Sequence, residues 1–261
     1  VENNVIRRAE LLCTTWAKGG IYVDGVGNYV AHNEVTDMVD GGIYFAGYGH
    51  VLEYNRVYDV CREFDDVGSV YSPGGGRCCG DGFRYNDVSG APGQGVVLYY
   101  DDTTSGHEAY GNILRNAGHD AILVGGGRDN KIRDNVMVSC TSASHIDLRG
   151  LQRMRLDDTG DESWRLNRKL EKLHYRESPW KDRYPWLLNV MENDPMLPIG
   201  TEWTGNLSVN CERFLNGYQR PEVKKVVDER LVMRDNRVVT TNDAAAVEML
   251  QTALSRLHFV R

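Results

Sequence analysis

The chain has 261 residues, of which 41% are hydrophobic and 26% charged, and carries a formal net charge of −7. That balance fits a water-soluble fold and opposes a nucleic-acid or anionic-membrane partner, since both attract basic chains; it also disfavours a polyuronate substrate. No apolar run reaches the roughly 20 residues that a membrane-spanning helix needs.

In chain order, the first 150 residues repeat one short cassette. It reads Gly20-Ile21-Tyr22-Val23-Asp24, Gly42-Ile43-Tyr44-Phe45-Ala46, Ser69-Val70-Tyr71-Ser72-Pro73, Val97-Leu98-Tyr99-Tyr100-Asp101-Asp102, Ala121-Ile122-Leu123-Val124-Gly125 and His145-Ile146-Asp147-Leu148-Arg149. Aligned, these put Ile21, Ile43, Val70, Leu98, Ile122 and Ile146 in one column, at spacings of 22, 27, 28, 24 and 24 residues. A cassette of that length buries nothing alone, and such a period points to a solenoid whose coils bury each other's apolar faces. The residues are β-formers and alternate, so the aliphatic column points inward. Tyr22, Tyr44, Tyr71, Tyr99, Leu123 and Asp147 then point outward. Asp24, Ala46, Pro73, Asp101, Gly125 and Arg149 form the next outward column.

A second cassette lies between these. Asn33-Glu34-Val35, Asn55-Arg56-Val57, Asn86-Asp87-Val88, Asn112-Ile113-Leu114, Asn135-Val136-Met137, Asn206-Leu207-Ser208 and Asn236-Arg237-Val238 put one Asn in each coil beside an apolar residue. Asn tolerates turns, and its amide can bond to the coils above and below. Two or three short strands per coil make an all-β, parallel β-helix. Parallel crossovers are overwhelmingly right-handed, which sets the expected hand.

Residues 151–200 break this pattern. Leu166, Leu170 and Leu173 recur at helical spacing, Ser178-Pro179 reads as a helix start with Ser as N-cap, and an aromatic run from Trp180 to Met191 follows. The expectation is a helical excursion packed on the solenoid's side, with Trp180 or Trp186 as the residues a lid would offer to a sugar. Coils resume over 201–240, with Lys224, Lys225 and Arg230 on a solvated face. Asn242 then caps a helix from Asp243 to Leu257, which closes the solenoid over 241–261. Residues 1–6 already read as a coil, so the chain is expected to be a monomeric part of a longer protein.

Of the six cysteines, Cys61, Cys140 and Cys211 follow the Asn positions by five or six residues and read as stacked buried thiols. Cys78-Cys79 is a vicinal pair whose state stays open. No Cys-x-x-Cys pair has matching His spacing, so no metal site is expected.

The Asn-x-Val and Gly-Ile-Tyr cassettes resemble the right-handed parallel β-helix (pectin-lyase-like) carbohydrate-active enzymes. With Asp66-Val67-Gly68-Ser69-Val70-Tyr71, Leu98-Tyr99-Tyr100-Asp101-Asp102 and Gly126-Gly127-Arg128-Asp129-Asn130, the chain is most similar to glycoside hydrolase family 141 and its relatives over residues 1–150 and 201–240. The resemblance implies hydrolysis of a plant cell-wall or microbial polysaccharide and a secreted or periplasmic location. It carries Asp66 and Asp101 over as the acid/base–nucleophile pair without dividing the roles, with Asp102 and Glu63 in reserve. On fully extended strands the pair would stand roughly 20 Å apart, so it requires a sharp turn at Val67-Gly68. Asp65 sits beside it.

The residues themselves add a sugar platform, because aromatic faces pack on the C–H faces of sugars. It comprises Tyr22, Tyr44, Tyr71 and Tyr99 with Asp24, while His119, Asp120 and Arg128 flank the next coil. Hydrolysis needs no cofactor. The alternative is a polysaccharide lyase with Arg128, Lys131 or Arg149 as base and Ca²⁺ held by Asp65 and Asp66; a third reading is a non-catalytic carbohydrate-binding solenoid.

Overall fold

The strands form three parallel sheets, stacked coil on coil, in the computed structural model; it describes residues 1–9, 19–64, 66–74, 80–90, 95–241, 248, 251–253 and 255. Asp65 and Cys78-Cys79 lie outside the described residues, as does most of the expected helix at 243–257. Among the described residues the first sheet has eight strands and the other two have seven each, and in every sheet each strand pairs with those of the neighbouring coils. This is a parallel β-helix. Among the described residues no helix is long and apolar enough to cross a membrane.

The corner before each Asn explains the period. His32, Tyr54, Tyr85, Gly111, Asp134, Gly205 and Asp235 all have φ between 53° and 66°, the left-handed region, and each precedes an Asn of the repeat. Left-handed backbone costs a non-glycine residue about 1 kcal/mol, and the Asn that follows offsets it. Asn Nδ2 donates to the next coil's Asn Oδ1 from Asn4 through Asn33, Asn55, Asn86, Asn112, Asn135 and Asn206 to Asn236, at 2.9–3.1 Å. The same oxygens accept the backbone N–H of the preceding coil's Asn, as from Asn86 N to Asn112 Oδ1 at 2.9 Å. The stacked-Asn reading therefore holds, with Asn4 as an additional first rung. On the outside of that corner His32, Tyr54 and Tyr85 stack at 5.1 and 5.4 Å.

The long-strand sheet runs through Gly19–Val23, Gly41–Phe45, Gly68–Ser72, Val96–Tyr100, Asp120–Val124, Ser142–Ile146 and Arg213–Asn216. Ile21, Ile43, Val70, Leu98 and Ile122 share the inner column, as the sequence predicts. Gly42, second in its strand, has room only for glycine: a Cβ there would fall 2.3 Å from Val57 Cγ1 across the narrow interior. The Ser142–Ile146 strand departs from the expected register. Ile122 pairs with Ser144, Leu123 with His145 and Val124 with Ile146. Ile146 is therefore two residues out of the predicted column, and His145, not Asp147, follows Leu123 on the outer face. The observed register matches Ile146 to Val124 but puts Ser144 in the inner column opposite Ile122, a placement that an aliphatic pattern does not suggest.

After Ile146 the chain leaves the stack as a helix at Arg149–Arg153, a 3₁₀ turn at Glu162–Trp164, a helix at Leu166–Leu173, a short helix at Trp180–Arg183 and a 3₁₀ turn at Pro185–Asn189. Pro179, not Ser178, occupies the N-cap of the Trp180–Arg183 helix, while the Ser178 hydroxyl donates to Asp182. Leu170, Tyr175, Tyr184, Leu187 and Val190 form a small separate core. Trp180 packs edge-on to Tyr48 of the solenoid at 4.6 Å. A further helix, Pro221–Arg230, was not anticipated. Pro at its first position and buried Val223 and Val227 at four-residue spacing are the signals for it. Cys61, Cys140 and Cys211 are free thiols; Cys140 and Cys211 share a hydrogen bond between adjacent coils.

Inside the solenoid, His107 Nδ1 lies 3.3 Å from Asp81 Oδ2, with both side chains almost fully buried. This is not an ion pair. Burial, against hydrogen bonds from His50 and Gly49, pushes Asp81 up to about 8; burial together with His50 pulls His107 down to about 3. Both are neutral at pH 7. Asp81 is raised above its unfolded value, so its contribution is complete below about pH 4 and is lost as pH rises through about 8, at up to about 1.4 kcal/mol per unit. Asp81→Asn keeps the acceptor for His50 N and cannot ionise. Its midpoint of urea unfolding is expected to exceed wild type by a margin that widens from pH 5 to pH 8. A margin independent of pH would refute a neutral Asp81.

Candidate functional site

The outer face of the long-strand sheet carries the polar groups. Tyr22, Tyr44, Tyr71 and Tyr99 stand in register, with ring centroids 5.0–5.2 Å apart. Exposure falls sharply along this ladder: Tyr22 is 58% exposed, whereas Tyr71 and Tyr99 are 6%. The open part of the expected platform is therefore its first end, and the two inner tyrosines turn their hydroxyls into a charged network.

Arg149 is the centre of that network. The helix that begins at Arg149, three residues past the strand end, projects Arg149 and Arg153 back over the turn after Tyr100. Arg149 pairs with Asp101 and also contacts Asp102 Oδ1 at 3.4 Å and Asp147 Oδ2 at 2.8 Å; Arg153 pairs with Asp102. Tyr71 Oη donates to Asp101 Oδ2 at 2.7 Å, and the Asp102 backbone N–H donates to Asp101 Oδ1 at 2.7 Å. Tyr99 Oη donates to Asp66 Oδ1 at 3.3 Å and also meets Arg149. Asp66 and Asp101 are thus each bonded to one of two touching rings; Gly68–Ser72 is an extended strand, so the expected sharp turn at Val67-Gly68 is not formed and the acids are linked only through Tyr71 and Tyr99. Asp66 is exposed, while the Asp101 and Asp102 side chains are only 13% and 18% exposed.

Burial and neighbours divide these acids. Burial, then the charge of Asp101, raises the pKa of Asp102, only partly offset by Arg153 and Arg149. Burial also acts to raise Asp147, but hydrogen bonds from His145 and Arg149 outweigh it and bring it down to about 2. Burial disfavours charge on His145, yet Asp120 and Asp147 overcome it and lift the ring to about 9. Asp120 is completely buried, and its contacts with His145 and His119 lower its pKa against the effect of burial.

Removing Arg149 takes the shared cation from Asp101 and Asp147. Breaking a buried pair costs about 3–5 kcal/mol; with these groups 13–17% exposed, Arg149→Met is expected to cost about 2–4 kcal/mol at pH 7. Asp147 is depressed below its unfolded pKa, so its share of stability is present above about pH 4 and lost as pH falls towards 2. The gap between variant and wild type in urea unfolding should therefore narrow below pH 4.

The other predicted site residues lie apart from this network or at its edge. Asp24 is exposed and caps its own turn, accepting from Gly25 N at 2.6 Å. Arg128 is buried beneath the helical excursion, bonded to Asp129 and the Asn193 carbonyl. Lys131 is exposed on a different sheet. His119 reaches Asp120, which also bonds His145. Trp186 lines a cavity of about 50 Å³ with Thr103, Trp164 and Leu170, and on another side an open groove of about 480 Å³ with Glu108, Lys131 and Glu202, apart from the Arg149 network. Sequence reasoning gave no role to His145 or to Asp147 as bonding partners. The two-residue register error hid them, and aligning His145-Ile146-Asp147 on Leu123-Val124-Gly125 would have exposed them.

No protein-family model matches the sequence, and no curated protein matches it. Among solved structures the chain is similar to the Dettilon tailspike protein (gp208), with a TM-score of 0.37 and 14% identity over 90% of this chain and 38% of that one. The chain thus spans well under half the length of that protein.

Proposed function

We propose that this β-helix is a glycoside hydrolase acting on a complex polysaccharide, with Asp101 as nucleophile and Asp102 as acid/base. One observation carries the reading. Arg149 Nη1 touches a carboxylate oxygen of both Asp101 and Asp102, which keeps those oxygens within roughly 6 Å, near the separation of a retaining pair. Their surroundings differ in the required sense. Asp101 accepts from Tyr71 and Arg149, contacts that suit a carboxylate about to attack. Asp102 has its pKa raised by burial and by Asp101, which suits a group that must be protonated to act as acid. Asp66, on Tyr99, borders the site as a substrate contact. The sequence resemblance to glycoside hydrolase family 141 favours the hydrolase class, with a secreted or periplasmic location, although it carries Asp66 rather than Asp102 as the partner of Asp101.

A lyase base among the arginines is disfavoured. Hydrogen bonds that Arg149 donates to Asp147 outweigh burial and raise the pKa of Arg149, and Arg128 is buried against Asp129. The test is to incubate the chain with a panel of neutral and acidic plant and microbial polysaccharides. New reducing ends without ultraviolet-absorbing unsaturation are expected. Unsaturated products would establish the lyase instead, and tight binding without cleavage would establish a binding solenoid.

A further inference from the structure

Beyond the acid pair, the same sheet face brings together three donor atoms of the kinds that hold transition metals. Asp120 opens its strand, His119 precedes it, and the register Leu123 to His145 places His145 on the outer face of the next coil. His119 Nδ1 and His145 Nδ1 both turn to Asp120 Oδ2, the latter at 2.9 Å, and the three donor atoms lie within 4.8 Å of one another.

The surroundings match those of a metal centre. Ligating carboxylates and imidazoles are held by an outer ring of hydrogen-bonding partners. Asp120 Oδ1 accepts from Asn216 Nδ2 at 3.3 Å. His145 Nε2 faces Asp147 Oδ2 at 3.7 Å, which aims Nδ1 at the cluster. Asp120 is completely buried, whereas the His119 side chain is 44% exposed, giving the cluster a wall on one side and an opening on the other.

We propose that His119, Asp120 and His145 bind one divalent transition-metal ion, Zn²⁺ being the first candidate. Two imidazoles and one carboxylate are the donor set of open, four- or five-coordinate zinc sites. Ca²⁺ is the wrong occupant, because it takes six to eight oxygen ligands. The remaining coordination positions face solvent through the His119 side, where water or a substrate hydroxyl can enter. A search for Cys-x-x-Cys spacing misses this site, since its ligands come from neighbouring coils.

The experiment is calorimetric titration of the chelator-treated full chain with ZnCl₂ at pH 7.5. One ion per chain is expected, with Kd of about 1 µM or tighter. His119→Ala, at a part-exposed position, should keep its fold by circular dichroism. It should weaken binding at least about tenfold, and Asp147→Asn should weaken it about 10–100-fold through the outer ring alone. Co²⁺ in place of Zn²⁺ should give visible absorption bands that His145→Asn removes. No Zn²⁺ binding below 1 mM, or unchanged binding in folded His119→Ala and His145→Asn, would overturn the site. Hydrolysis is not the readout, so a chain that binds zinc but cleaves no glycan leaves this proposal standing, and the converse holds.

Discussion

Asn112→Ala is expected to remove about 3–6 kcal/mol of stability, a large part of the 5–15 kcal/mol typical of a folded domain. Asn112 Nδ2 donates to Phe83 O at 2.8 Å and to Asn135 Oδ1 at 2.9 Å, while its Oδ1 accepts from Asn86 N and Asn86 Nδ2. Alanine strands the Asn86 N–H and the Phe83 carbonyl in an interior where Asn86 and Asn112 are completely buried. Each buried, unmet backbone group costs about 1–3 kcal/mol. The matched control is Asn4→Ala at the exposed first rung, expected to cost under about 1 kcal/mol because water replaces the lost partners. Urea unfolding of the two variants distinguishes a ladder that holds the coils from one that merely decorates them. Equal, small losses would show the latter.

Asp101→Asn and Asp102→Asn are expected to fail in different ways. Losing the nucleophile should lower kcat by about 10³-fold or more on every substrate, whatever its leaving group. Losing the acid should cost about 10²–10⁴-fold on a natural glycan, but far less on an aryl glycoside whose leaving group departs without a proton. In the wild type, activity should fall as pH rises through the elevated pKa of Asp102, because the acid must be protonated to act. Asp102→Asn should lose that alkaline limb. If Asp66→Asn alone abolished turnover while Asp101→Asn kept a tenth of it, the nucleophile would be Asp66 and the assignment would be wrong.

Much of the solenoid was legible because its demands are periodic. A corner Asn recurs every 22 to 31 residues outside the helical excursion and an aliphatic inner residue every 22 to 28 through Ile122, and both columns appear where the sequence placed them except at Ile146. What was lost depends on information that periodicity does not contain. The Ser142–Ile146 strand can set Ile146 against Ile122 or against Val124; the second puts Ser144 in the inner column, which apolar periodicity does not favour, and only it brings His145 beside Asp120. Arg149 was visible as a basic residue but not as the hub of three carboxylates, because its helix turns it back across two coils. The tyrosine column was legible as a column; its change from exposed Tyr22 to buried Tyr99 follows from the network that covers one end. The Pro221–Arg230 helix interrupts a stretch read as resumed coils with Lys224, Lys225 and Arg230 on a solvated face.

The corner ladder passes from Asn135 straight to Asn206, 71 residues later, at 3.1 Å. Neighbouring rungs elsewhere are as little as 22 residues apart. In space the step is unchanged; in sequence it has tripled. Closing a loop three times longer costs only about 1 kcal/mol more, since the entropy grows with the logarithm of length. The helical excursion therefore behaves as a graft on a finished trunk. It can be lengthened, shortened or exchanged between descendants without disturbing the rungs on either side. Because the graft begins at the helix carrying Arg149 and Arg153, each exchange would redraw the rim of the acid site while the trunk beneath stayed the same. New specificities would then arise by swapping a branch, with the β-stack inherited intact.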